Sequence, residues 1–175
     1  MIQAVVFVLV FCMSVIAANA QKAADFSGKW TLDVSKSKLG ERNMIESQSM
    51  TVTQTPGEIR IETSTKRSGP PAGGPGGGRG MGGGDMPMTY ALDGKETKTE
   101  RQGPNGAIPV LLKAKPEGGK LVLSQSMTFQ MPNGEMTSIT KETWELGADG
   151  KSLTVTTERT GPRGADTTTR VFVKG

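Results

Sequence analysis

Three side chains in this sequence could do polar chemistry inside an otherwise apolar setting: Gln125, Glu142 and Arg159. Each interrupts a stretch in which apolar residues recur at every second position. Gln125 falls among Leu121, Leu123, Met127 and Phe129, Glu142 falls between Met136 and Trp144, and Arg159 follows Leu153 and Val155. A period of two is that of a strand with one dry and one wet face, so all three are expected on the dry faces. A lone inward charge costs several kcal/mol, which demands that Glu142 be paired. A two-residue turn at Asn133-Gly134 makes Pro132 face Glu135 and sets Leu123 opposite Trp144 and Gln125 opposite Glu142. The turn at Asp149 then sets Glu142 opposite Thr157 or Arg159, so Arg159 is the expected direct or diagonal partner.

Such a pair has two uses. It is a salt bridge that fixes the fold, or it is the polar anchor for a ligand head group in a mostly apolar cavity. A register slip of one residue would instead turn both charges to water. Met50, Met88, Met127 and Met136 fall on the same inward faces, where flexible thioethers suit either adaptable packing or a permissive cavity.

Other chemistries are largely excluded. The chain has no His and one Cys, Cys12, which lies in the apolar leader. Beyond that leader there is no disulfide, no thiol chemistry and almost no zinc or copper chemistry to consider. A Ser or Thr nucleophile lacks its usual base, and Glu142 with Asp166 are the only carboxylates that could be nominated for acid–base work. The sequence therefore reads as non-catalytic, with no cofactor and no metal.

The elements that position these residues are strands joined by tight turns. Residues 26–34, Phe-Ser-Gly-Lys-Trp-Thr-Leu-Asp-Val, alternate about Trp30, with Gly28 leaving space beside the indole. Residues 47–54 and 58–64 form a hairpin about Thr55-Pro56-Gly57. Further strands follow Asp93-Gly94, Asn105-Gly106, Gly118-Gly119, Asn133-Gly134, Asp149-Gly150 and Gly161-Pro162-Arg163-Gly164. Residues 35–46 are too short for more than a turn or two of helix and read as a connector or small lid. No stretch has a convincing helical period. About ten strands in sequence order make an antiparallel meander, and closing it into an up-and-down β-barrel removes the open edges and the bare apolar face.

Residues 1–20 carry no charged side chain and end Ala18-Asn19-Ala20, the pattern of a secretory signal cleaved after Ala20. Secretion or a periplasmic location is the expectation, with no stable membrane insertion after cleavage. The remaining residues, 21–175, make a single domain. Residues 68–87 are dominated by Gly and Pro and are expected to be a disordered loop inserted between two strands. The net charge of +4 is spread among both signs, which argues for a solvated surface and against nucleic acid as a partner. Oligomeric state is not encoded in any of these patterns.

The opening Phe26-Ser-Gly-Lys-Trp-Thr-Leu32 resembles the first strand of lipocalins and fatty-acid-binding proteins, whose mark is Gly-x-Trp. The ending Thr169-Arg-Val-Phe-Val-Lys174 is similar to the last strand of fatty-acid-binding proteins. The chain most resembles secreted bacterial lipocalin-like domains that begin Phe-Ser-Gly-x-Trp. The resemblance implies a barrel whose last-strand arginine, Arg170, packs over Trp30, with Arg170 and Phe172 inward. A two-residue turn at Pro162-Arg163 gives that facing, whereas a bulged turn would put Val171 and Val173 inward. Fatty-acid-binding proteins usually carry two helices after the first strand and Tyr where Phe172 stands; this chain has neither. The expected function is a barrel that binds a small apolar or amphipathic molecule, with Trp30, Gln125, Met127, Glu142, Trp144, Arg159, Arg170 and Phe172 as candidate interior residues. The alternative is a filled barrel serving as a structural or protein-interaction module at the cell envelope.

Overall fold

The computed structural model describes residues 24–40, 44–68, 86–103, 106–131, 134–161 and 164–175; the expected signal 1–20 and nearly all of loop 68–87 lie outside them. Ten strands follow in order: β1 (Gly28–Leu32), β2 (Ile45–Gln54), β3 (Glu58–Arg67), β4 (Met88–Ala91), β5 (Glu96–Gly103), β6 (Gly106–Glu117), β7 (Lys120–Met131), β8 (Gly134–Leu146), β9 (Ser152–Gly161) and β10 (Gly164–Lys174). They form one antiparallel sheet in the order β4-β3-β2-β1-β10-β9-β8-β7-β6-β5. The wall therefore consists of two consecutive meanders, β1–β4 and β5–β10, joined where the first strand pairs with the last. Its one unpaired seam lies between β4 and β5. The barrel expected from the strand count is present and nearly closed.

Three long hairpins point to the same end, here called the upper end, and share one connection. Gly103 pairs with Gly106, Met131 with Gly134 and Gly161 with Gly164, and in each case the intervening pair begins with Pro. The Gly that follows each connection takes a φ of 118, 117 or 101° that a side chain would resist. At β7–β8 this corrects the expected register by two residues. The connection is Pro132-Asn133 and not Asn133-Gly134, so Leu121 faces Trp144, Leu123 faces Glu142 and Gln125 faces Thr140. An even shift leaves every side chain on its predicted face.

At the lower end the interior is filled largely by deeply buried apolar side chains. Trp30, Trp144, Phe26, Phe172, Leu153 and Leu121 are all at most 2% exposed, each burial contributing about 1.5–3 kcal/mol. The Trp30 indole N–H donates to the Phe26 carbonyl at 2.9 Å, and the Phe26 ring meets Trp144 edge-on at 5.9 Å. The leading residues are tied across this end, since Gln54 accepts from Phe26 N and donates to the Ala24 carbonyl.

Trp30 does have a cation over its ring, but it is Lys174 and not Arg170, with Nζ 5.2 Å from the centroid. The register explains this correction, because Trp30 pairs with Lys174 and Arg170 lies further up the barrel. The space kept by Gly28 is filled by the same lysine: a Cβ at Gly28 would come within 2.7 Å of Lys174 Cε.

β1 is only five residues long, half the length of β2 and β10. Above Leu32 its place beside β10 is taken by a strap. Asp33 N donates to Val171 O, the Asp33 carboxylate accepts from Ser35 N and Lys36 N to cap the single 3-10 turn Val34–Lys36, and Lys38 bridges Thr169. Among the described residues of the connector this turn is the only helix.

Candidate functional site

Halfway up the interior, five strands contribute to one polar cluster. The two-residue hairpin connection turns Arg170 inward, as the resemblance implied. Its Nη2 donates to Glu142 Oε1 at 3.0 Å and to Thr157 Oγ1 at 2.8 Å, and its Nη1 donates to Gln48 Oε1 at 3.2 Å. Glu142 also accepts from Thr157 Oγ1 at 3.3 Å and, through Oε2, from the Trp144 indole N–H at 3.0 Å. Gln48 donates to Thr65 Oγ1 at 3.0 Å. The paired charges are 19% and 26% exposed, low enough that each needs the other and every lone pair needs a donor.

Arg159 is not the partner of Glu142. It lies opposite Thr140 and Asp166 near the splayed upper end and is exposed, so water can solvate it and nothing compels a buried ion pair. Arg170 sits deeper, one diagonal step from Thr157 and Glu142, and there a charge must be matched. Gln125 is half-buried on its predicted face, opposite Thr140 and diagonal to Glu142 but outside the hydrogen-bonded cluster, and Met127 lies opposite Val110 and Ser138, packed against the core margin. Trp30 belongs to the lower core, whereas Trp144 and Phe172 are both core and cavity wall.

Beside the cluster is a cavity of about 90 Å³. Met50, Ile61, Met88, Val155, Trp144 and Phe172 form its apolar wall; Gln48, Thr63, Tyr90, Glu142 and Arg170 form its polar one. Tyr90, the single tyrosine of the chain, is 4% exposed, and its hydroxyl donates to the Met88 thioether at 3.7 Å. Burial, and after it the charge of Glu142, push this hydroxyl well above its ordinary pKa against a weaker opposite pull from Arg101. A second hollow of about 110 Å³ lies at the lower end beside Ala24, Phe26, Leu92 and Leu121.

Above the cluster, Val110 and Phe129 are buried and the other inward positions are half-buried to exposed. Ile108, Val110, Met127, Phe129 and Met136 give the β6–β8 side an apolar surface, and Thr140, Arg159, Asp166 and Thr168 give the β8–β10 side a hydroxylated and charged one.

This architecture has a counterpart among solved structures. The zebrafish ileal bile acid-binding protein, in its complex with cholic acid, superposes with a TM-score of 0.50 over 86% of this chain and 98% of its own, at 17% sequence identity. The fold is fatty-acid-binding-protein-like. No family model and no curated protein matches the chain in sequence. At this identity the likeness speaks for the barrel alone, and the site must be argued from its own residues.

Gln48, Tyr90 and Thr157 are site residues that the sequence reading missed. Gln48 left a signal. It precedes Met50 and Val52 at the spacing of two, interrupting an apolar face just as Glu142 does in β8.

Proposed function

We propose that this chain is an exported, non-catalytic barrel, cleaved after Ala20, that takes one small amphipathic molecule through its upper end. The carrying observation is the Arg170–Glu142–Gln48 cluster placed beside a cavity with an apolar wall, below an interior that remains half-open. A cavity of about 90 Å³ is well short of the ~300–1,000 Å³ of pockets that enclose whole ligands. It accommodates the polar end, while the remainder of the molecule lies along the apolar β6–β8 side above. A bile acid-binding barrel of the same architecture supports the reading.

Native mass spectrometry of mildly purified protein tests it. Co-purifying small molecules, together with displacement of the apolar dye Nile red, are expected; an apo mass with no dye response refutes the proposal. The deeply buried apolar side chains of the lower interior favour one other reading, a filled barrel that acts as an interaction module at the cell envelope. That second result would support it. The intact mass also reports the export step, since the mature chain is expected to begin at Gln21.

A further inference from the structure

The chemistry of the cavity wall restricts the polar end of the ligand. Arg170 is the only cation among the residues that line it, and both of its terminal nitrogens are already turned to protein acceptors: Nη2 to Glu142 and Thr157, Nη1 to Gln48. A guanidinium that receives a ligand carboxylate offers it a pair of parallel N–H groups. Here that pair is engaged, and a bound carboxylate would also lie against the carboxylate of Glu142 without a second positive charge in the wall. Arg101 influences Tyr90 from β5, but it is not part of the lining.

The unfilled hydrogen-bonding capacity is neutral. The Tyr90 O–H is donated to a thioether, a weak acceptor, at 3.7 Å, and Thr63, which lines the cavity, has no side-chain hydrogen-bond partner among the described residues. From this we infer that the site selects an uncharged hydroxyl or carbonyl group at the polar end of its ligand and discriminates against a free carboxylate. Tyr90 supplies the hydrogen bond, and Glu142 supplies the repulsion that rejects an anion. Such a pairing of one attractive and one repulsive element is how specificity between near-identical molecules arises. The inference rests on the ligand-binding reading above and goes beyond it by naming the head-group class.

The test compares 1-decanol with decanoate, which share a tail, by displacement of Nile red from the folded protein at pH 7.5. The tail chemistry is normalised by the partition of the same two molecules into uncharged detergent micelles. The expected result is a preference for the alcohol at least tenfold beyond that of the micelles. Glu142→Gln and Tyr90→Phe should each lower the decanol-to-decanoate affinity ratio about tenfold, the first chiefly by raising decanoate affinity and the second chiefly by weakening decanol. Far-UV circular dichroism confirms that each variant is folded; should Glu142→Gln not fold, the wild-type ratio and Tyr90→Phe decide. A wild-type preference no greater than that of micelles, or a decanol-to-decanoate ratio unmoved by either folded variant, overturns the inference while binding itself stands. Failure of both molecules to displace the dye overturns the binding proposal and the inference with it.

Discussion

The lower and upper halves of this barrel are made from the same strands and obey the same alternation, yet they solve different problems. Below the level of Phe172 the inward residues are large and apolar, the leading segment crosses the end, and Lys174 covers Trp30. Above Arg170 the inward residues are mixed, with Ile108, Val110, Phe129 and methionines on the β6–β8 side and threonines and charges on the β8–β10 side, and many retain contact with water. The boundary is the ring of hydrogen bonds from Thr65 through Gln48 and Arg170 to Glu142 and Trp144. The most deeply buried aromatic side chains thus lie in the lower half, while the upper half keeps more of its inward surface in contact with water.

The comparison is broken most directly in the lower half. Trp30→Ala removes a fully buried indole and its hydrogen bond to Phe26, and should cost about 3–5 kcal/mol in urea unfolding. A loss under about 1 kcal/mol would mean that the lower core is not where the stability lies. At the boundary, Glu142→Ala should cost about 2–3 kcal/mol, less than a fully buried pair because both partners keep some solvent. The double variant Glu142→Gln with Arg170→Met should recover part of that in the same measurement.

A pH titration sharpens the same boundary. The folded Tyr90 pKa is raised, so the folded chain holds a proton that the unfolded chain gives up once pH passes the ordinary tyrosine value near 10. The contribution of Tyr90 is fully present below that pH, and stability should decline above it by up to about 1.4 kcal/mol per pH unit. Because there is one tyrosine, phenolate absorbance should appear only as the protein unfolds; a normal titration in the folded state contradicts its burial. The smallest effect belongs to the upper half. Arg159→Ala, at an exposed position, should change stability by less than about 0.5 kcal/mol, and a loss comparable to that of Glu142→Ala would return Arg159 to the ion pair.

The strands and their facing were legible because alternation and turn residues are local properties. Trp30, Trp144, Phe172 and Glu142 all point as the period of two requires. Register was less so. The same Pro-x-Gly chemistry closes three hairpins, but Asn133-Gly134 carries the stronger signal of a type I′ turn, and only the structure decides between them. Height within the barrel was not legible at all. Arg159 is expected inward from alternation and Arg170 from the resemblance, and what separates them is depth, which depends on how far β10 is staggered against β1. The same stagger gives Trp30 to Lys174 and Arg170 to Glu142. Cross-barrel partners such as Gln48 and Arg170 are set by closure of the whole sheet, and no window of sequence contains that information.

The junction of β1 with β10 also fixes an order of assembly. Every other strand pair is between neighbours in sequence, in most cases across a short turn that closes with little loop entropy. The two meanders meet only through the first and last strands, and the bond from Arg170 to Gln48 spans 122 positions. Closure of the ring therefore has to wait until β10 has been made, and it is the step expected to limit the folding rate. Until then β1 and β2 lie with Trp30, Met50 and Val52 uncovered on one side, so a chain emerging N-terminus first carries its future core as an open, adhesive sheet for most of its synthesis.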